Sequence, residues 1–359
     1  MQQQAVLCVA YDEQPSKSIA VREIPLPELD PQPGNLMVDV LSMTVDFVQL
    51  LLTQRKYQVR AEPPFTLGAE MCGRVVAVGD GVSRFAVGDL VCGSANSEAG
   101  PRGEGYQNHG SFAERVEADA RCMYKVPKSM DPALVPSPYS YVTCMHALGE
   151  RANMQPGEML LVLGAAGGVG SAAIEIGKIM GAIVIAAASS SEKLALCQQI
   201  GADHTINYEE QDLKTEVRKL TNGAGVDVVC DPVGGRFAES AVRALAWRGR
   251  YITLGYTEGS IPSVALNLLL LKEAQIIGSM LAEYLKHEPA KAGGPGGEIR
   301  EFEQMMEQGQ LQPVIQAIRP MAEAASALDQ IRERAVQGKI VLTTPRYAAE
   351  HGRWRGARL

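Results

Sequence analysis

The sequence predicts an α/β protein in which a doubly wound parallel sheet follows a separate β-rich domain. Three observations carry this. Residues 136 to 282 alternate short apolar strands with helical segments, the order that specifies a parallel sheet covered on both faces. A glycine-rich turn, LVLGAAGGVG at 161–170, joins the first of those strands to its helix. Residues 1 to about 135 instead hold short apolar runs such as NLMVDVLSM and GRVVAVGDGV, punctuated by Pro25, Pro27, Pro31, Pro33, Gly79, Gly81 and Gly88. A chain of 359 residues with 46% apolar content is long enough for two such cores.

The elements follow in order. Met159 to Leu163 is the first strand of the sheet, Gly164 to Gly168 make the turn, Gly170 lets the helix pack on the strand, and a second strand ends at Ala188. A helix at 192 to 200 comes next, then a strand near HTINY, a helix around DLKTEVRKL and the strand VDVVCDPV. A helix from Phe237 to Leu245 and the strands RYITLGY and AQIIGSM complete the alternation. HEPAKAGGPGGEIRE, 287–301, reads as a loop. Beyond it EFEQMMEQGQL and EAASALDQIRERAVQ have helical spacing, and GKIVLTT is a strand expected to rejoin the first domain. The expected division is therefore 1–135, 136–282 and 283–345, with 346–359 a basic mobile tail.

The strand, turn, helix and second strand at 159–188 form a dinucleotide-binding unit. A pyrophosphate must approach the backbone closely at the positive end of the helix, so small residues are required at Gly167 and Gly168. The second strand ends without the acid that binds the ribose hydroxyls of NAD; Ser189, Ser190, Ser191, Glu192 and Lys193 follow instead. Hydroxyls and an ammonium suit a 2′-phosphate, which points to NADPH. A plainer reading makes Ser189 the cap of the next helix and leaves Lys193 solvated.

Net charge of −7 argues against general nucleic-acid binding. No apolar stretch reaches membrane-spanning length, and MQQQAVLCVAYDEQ lacks the regions of a secretory signal. Seven cysteines without a C-x-x-C pair are read as reduced thiols. The expected compartment is the cytoplasm, with the peroxisome as the alternative raised by the terminal Ala357-Arg358-Leu359.

Taken together, the chain resembles medium-chain dehydrogenases/reductases of the zinc-independent NADPH:quinone oxidoreductase branch. The resemblance rests on FTLGAEMCGRVVAVGDGVSRFAVGDLV, GSFAE, VTCMHAL, QPGEMLLVLGAAGGVG, SSEKLALCQQIGADHTINY, GVDVVCDPVGG, GRYITLGY, NLLLLKEAQIIGSM and GKIVLT, which cover residues 5 to 344 in the family's order. It implies a GroES-like β-barrel for the first domain and a Rossmann fold for the second, with the active-site cleft between them. It implies that Tyr57 lies beside the nicotinamide as a candidate proton donor, that Thr143 contacts the cofactor near its reactive end, and that Ala166, Gly167, Gly168 and Val169 hold the pyrophosphate. Ser189, Lys193 and Tyr208 match its 2′-phosphate pocket; Leu254, Gly255 and Tyr256 lie over the cofactor, and Ser279 and Met280 offer backbone groups to the carboxamide. Tyr57 has an alternative reading as a partly buried barrel tyrosine.

Zinc-dependent relatives carry Gly-His-Glu where this chain has Gly68-Ala69-Glu70, and Ala69 has no atom to ligate a metal. Their cysteine lobe is also missing between Cys92 and His109, so no metal is expected. One departure concerns the active-site segment: relatives have Asn, two residues, then Asp, and here Asp46-Phe47-Val48-Gln49 exchanges acid and amide. An anionic Asp46 there needs a cation or a proton, unless it serves only as a local turn acceptor.

The expected activity is NADPH-dependent hydride transfer to a quinone or an α,β-unsaturated carbonyl compound, with Tyr57 and Asp46 as candidate catalytic residues. The alternative is reduction of an enoyl thioester, for which Arg55, Lys56 and Arg60 would supply a basic rim. A third possibility, kept open by the Asp46/Gln49 exchange, is a cofactor-binding structural or regulatory protein with little turnover. The resemblance further implies a homodimer or dimer of dimers joined through the last strands of the sheets. Segment 94–110 reads as a surface insertion near the cleft mouth.

Overall fold

The structure, a computed structural model, describes residues 1–57, 61–94, 110–135, 137–294 and 297–352. The segment 95–109, Arg60 and the terminal residues 353–359 fall outside the described residues. The chain divides into two compact units, one made of 1–139 with 284–359 and the other of 140–283.

The first unit is built on long antiparallel ladders, as its alternating apolar runs require. Asn35–Val45 is the central strand: it pairs with Glu70–Val78 on one side and with Arg115–Asp119 and Lys339–Thr343 on the other. The seven-stranded sheet continues outward through Leu90–Ser94 and Met123–Lys125, and on the opposite side through Ile315–Pro320. A three-stranded sheet of Ile19–Pro25, Gln2–Cys8 and Phe65–Thr66 packs its inward residues into the same core, where Val6, Val38, Val40, Phe65 and Phe112 are almost fully buried. Lys339–Thr343 does return to the first unit, with Ile340 opposite Val45 and Thr343 opposite Ser42. These ladders are the β-rich half of the predicted α/β fold.

The second unit is a six-stranded, wholly parallel sheet. Its spatial order is His204–Asn207, Ile183–Ala188, Met159–Leu163, Val226–Asp231, Leu245–Thr253 and Gln275–Gly278. In sequence terms that order runs outward from the first strand in both directions, so the direction of winding reverses between Met159–Leu163 and Val226–Asp231. This is the Rossmann arrangement, and such a reversal opens a crevice at the carboxyl ends of the two strands.

Two expectations are corrected. Residues 346–351 are not the beginning of a mobile tail: they form the helix Pro345–His351, Tyr347 is 2% exposed, and its hydroxyl donates to Asp131 at 3.0 Å. An aromatic anchor with a satisfied hydroxyl outweighs the polarity that suggested a tail. The stretch 287–301 is not simply a loop either, because Leu281–His287, Pro289–Ala292 and Glu298–Glu307 are helical. Pro289 at a first helical turn is compatible with helix, which runs on to Ala292. A π-helical turn, His146–Arg151, extends Pro138–Met145 and has no counterpart in the sequence reading.

Candidate active site

In a parallel sheet all carboxyl ends face one way, so the residues just after each strand share a rim. Register shows this directly: Leu163 is level with Ala187, Ala188 with Asn207, Asp231 with Thr253, and Thr253 with Gly278. Nearly all the cofactor residues proposed from the sequence lie within a few positions of those ends. They are Ala166 to Val169, Ser189, Lys193, Tyr208, Leu254 to Tyr256, and Ser279 with Met280. Thr143 comes from the helix Pro138–Met145, whose neighbouring Cys144 thiol donates to the Val169 carbonyl at 3.4 Å. That contact holds the Thr143 helix against the first turn of Gly168–Ile179.

The glycine turn is shaped by close approach. A Cβ on Gly170 would lie 2.3 Å from the Gly164 carbonyl and 2.6 Å from Ala165 Cα, distances no side chain tolerates. Gly164 itself has φ +58, and a Cβ there would meet Val233 Cγ2 at 2.7 Å. Gly167 stands at the N-cap and offers no side chain to the free N–H groups that open the helix. Donors of this kind at the positive end of a helix are the chemistry that an anion requires. Ala166 is 2% exposed, while Gly167, Gly168 and Val169 are part-exposed.

At the next strand end, Ser190 rather than Ser189 caps the helix Ser191–Gln199, accepting from the Lys193 N–H. Ser189 is thereby released from the capping role that was its plainer reading. Its hydroxyl receives the Lys193 ammonium at 3.3 Å. Tyr208 follows the adjacent strand and leans on Phe237, ring centres 4.3 Å apart. Leu254 N–H donates to the Asp231 carbonyl at 2.9 Å; Tyr256 is 41% exposed and Met280 42%. Ser279 is buried, its N–H donates to Thr253 O at 3.2 Å, and its Oγ has no hydrogen-bond partner.

Asp46 and Tyr57 belong to the first unit. Tyr57 is half-buried and packs on the barrel core. Asp46 is engaged through both its N–H and its carboxylate. It is the N-cap residue of Phe47–Thr53, with its N–H donating to Gln49 Oε1 at 2.5 Å, and its carboxylate pairs with the Lys339 ammonium. Lys339 also reaches Glu70 at 3.7 Å. Thr44 donates to Glu70 at 2.8 Å, Tyr139 N–H does so at 2.6 Å, and the Ser137 hydroxyl is a third donor. Burial raises the Glu70 carboxyl above its ordinary range despite Lys339 and these donors. Burial alone would lower Lys339, but Asp46 and Glu70 outweigh it and its pKa is raised.

Lys339, Glu70 and Asp231 were not singled out from the sequence. Lys339 and Asp231 lie inside GKIVLTT and VDVVCDPV, segments read only as strands. Ala69 occupies the position between Gly68 and Glu70 and is 7% exposed. Among the described residues, no three His, Cys, Asp or Glu side chains group so as to hold a metal ion. No helix among them is long and apolar enough to cross a membrane.

Residues 32–128 match the family described as alcohol dehydrogenase GroES-like domain, and residues 168–292 match zinc-binding dehydrogenase. Quinone oxidoreductase-like protein 2 of Bos taurus is 34% identical over 315 residues, covering 87% of this chain and 86% of its own. The chain is a medium-chain dehydrogenase/reductase of the quinone oxidoreductase branch. It is also similar to prostaglandin reductase-3 of Mus musculus, 33% identical over 73% of this chain and 68% of that one. A mycobacterial protein solved in complex with NADPH superposes with a TM-score of 0.81 at 25% identity, covering 95% of this chain and 99% of that one. Membership of this family makes the chain an oxidoreductase that uses a nicotinamide cofactor and acts on small molecules.

The buried cluster generates a stability test. Lys339→Met leaves two carboxylates without their cation and is expected to cost about 3–5 kcal/mol at pH 7 by urea unfolding. The Glu70 carboxyl, raised in the folded state by burial, destabilises that state when ionised, so the deficit should shrink as pH falls from 7 toward 5. In the parent protein the Lys339 contribution has the opposite range: it is present at neutral pH and is lost only as pH rises through the lysine's raised value. A deficit that grows on acidification would mean that Asp46 and Glu70 do not depend on Lys339.

Proposed function

We propose that the chain is an NADPH-dependent reductase that transfers hydride to a quinone or an α,β-unsaturated carbonyl compound without a metal. The observation that carries the cofactor choice is the Lys193 ammonium 3.3 Å from the Ser189 hydroxyl at the end of the second strand. A carboxylate there would repel a 2′-phosphate; an ammonium, a hydroxyl and the nearby Tyr208 accept it. In this reading Ala166, Gly167, Gly168 and Val169 hold the pyrophosphate, Leu254 to Tyr256 and Thr143 bracket the nicotinamide end, and Ser279 and Met280 present backbone groups to the carboxamide. The reduced nicotinamide, when bound, supplies the hydride. Tyr57 is the candidate proton donor, and Asp46 acts through its cluster with Lys339. The metal-free assignment rests on Ala69, which lacks a ligating atom.

Quinones and enones are preferred over enoyl-CoA because of what surrounds Tyr57. Arg55 faces Glu62 at 3.5 Å and Lys56 faces Glu13 at 2.8 Å, so two cations of the expected basic rim already meet carboxylates. The assembly is read as a homodimer or dimer of dimers. Gln275–Gly278 is an edge strand, paired on one side only among the described residues, and the segment leading to it exposes Leu266 at 75%, Leu270 at 81% and Leu271 at 69%. An apolar open edge is a liability that a second copy removes.

Steady-state NADPH oxidation with a panel of quinones, enones and enoyl-CoAs is expected to give its highest kcat/KM with quinones or enones. Highest activity with the thioesters would favour the alternative, and none with any acceptor would favour a non-catalytic role. Lys193→Ala is expected to weaken NADPH binding by about 1.5–3 kcal/mol and leave NADH nearly unchanged in a fluorescence titration. Equal loss for both cofactors would remove the 2′-phosphate assignment. Sedimentation at micromolar concentration should show dimer or tetramer, and a charge introduced by Leu270→Glu should shift it toward monomer; a monomeric parent protein contradicts the edge reading.

A further inference from the structure

Asp231 ends the strand Val226–Asp231, directly across the winding reversal from the glycine turn. It is fully buried in the second unit, and both of its carboxylate oxygens are engaged. One takes the N–H groups of Val233 at 2.6 Å and Gly234 at 2.8 Å, and the other takes the Tyr251 hydroxyl from the neighbouring strand. An ordinary strand end needs no such device, since a buried carboxylate is expensive unless every lone pair is used.

The turn this carboxylate holds is tied on two sides. Val233 lies against Gly164, where even a methyl group would be 2.7 Å from it. The Pro232 carbonyl accepts from Thr257 N–H at 3.2 Å, and the Val233 carbonyl accepts from Glu258 N–H at 2.9 Å. Gly234 and Gly235 both have positive φ, +66 and +57, with Tyr256 and Glu258 filling the space a side chain would need. The turn thus touches the glycine turn on one side and the segment after Thr253 on the other. Those are the two walls of the crevice at the sheet's carboxyl end.

We propose that Asp231 and Tyr251 are positioning residues that clamp the 232–235 turn against the glycine turn and thereby set the affinity for the nicotinamide dinucleotide. The proposal rests on reading the glycine turn as the dinucleotide site. Tyr251 restrains the carboxylate, the carboxylate fixes two N–H groups, and Val233 carries that position to Gly164. Burial raises both the Asp231 carboxyl and the Tyr251 phenol, in keeping with a hydrogen bond closed off from water. Neither side chain is asked to touch the reacting atoms.

Equilibrium binding tests it. NADPH and NADH are titrated into the full chain and into Tyr251→Phe, Asp231→Asn and Asp231→Ala by cofactor fluorescence, with thermal unfolding recorded for each. Tyr251→Phe is expected to raise Kd and cofactor KM about five- to tenfold while kcat at saturating cofactor stays within about twofold. Asp231→Asn keeps an oxygen for the same two N–H groups and an amide that donates to the tyrosine oxygen, so it should bind within about threefold of the parent. Asp231→Ala should be the weakest binder; if it does not fold, the other two variants decide. Unchanged Kd in Tyr251→Phe, or Asp231→Asn binding as poorly as Asp231→Ala, overturns the proposal and leaves the site standing. A parent protein that binds neither dinucleotide overturns the site and the proposal together.

Discussion

The rim of the parallel sheet depends on how near the helix Gly168–Ile179 comes to the strand before it. Gly170 has its backbone where any side chain would collide with the Gly164 carbonyl and Ala165. That contact brings the helix's opening N–H groups to the end of the strand, and it leaves Gly164 exposed to Val233 from the other side of the winding reversal. A bulkier residue at either glycine would push the helix off the strand and separate donors that act on one anion only when they converge. Ser189, Tyr208, the 232–235 turn and Leu254 to Tyr256 take their places from strands in register with that one.

The first unit is governed by a different economy, the burial of charge. Lys339 begins the return strand, Asp46 caps a short helix and Glu70 begins the strand after Ala69, and the three meet where water is scarce. Two carboxylates and one ammonium are tolerable because Thr44, Ser137 and Tyr139 N–H satisfy Glu70. The exchange of amide and acid between positions 46 and 49 is intelligible here. Gln49 supplies the oxygen that accepts from the Asp46 N–H, and Asp46 supplies the carboxylate for Lys339. The exchange leaves Gln49 Nε2 buried without a partner, which is the local cost of the arrangement.

Much of the second unit was legible because its signals are local. Strand and helix periodicity, the small residues of 164–170 and the absence of an acid after Ala188 each concern residues close in sequence, and the observed strands fall where those patterns end. Misreadings arose where a distant partner overrides composition. The polar segment after Thr344 becomes helical because Tyr347 finds Asp131, more than two hundred positions earlier. The glycine-rich stretch near 293 hides helices on both sides of it.

By itself the sequence determined the α/β class, the parallel order implied by alternation, the glycine turn and the family, since each follows from residue type at short spacing. Tertiary structure alone decided that Lys339 is a partner of Asp46 and Glu70, that Ser190 rather than Ser189 is the cap, and that Asp231 is gripped by Tyr251. Those assignments depend on which side chains share a desolvated space. The energy of a buried charge is set by neighbours brought from elsewhere in the chain, and spacing along the chain does not encode that proximity.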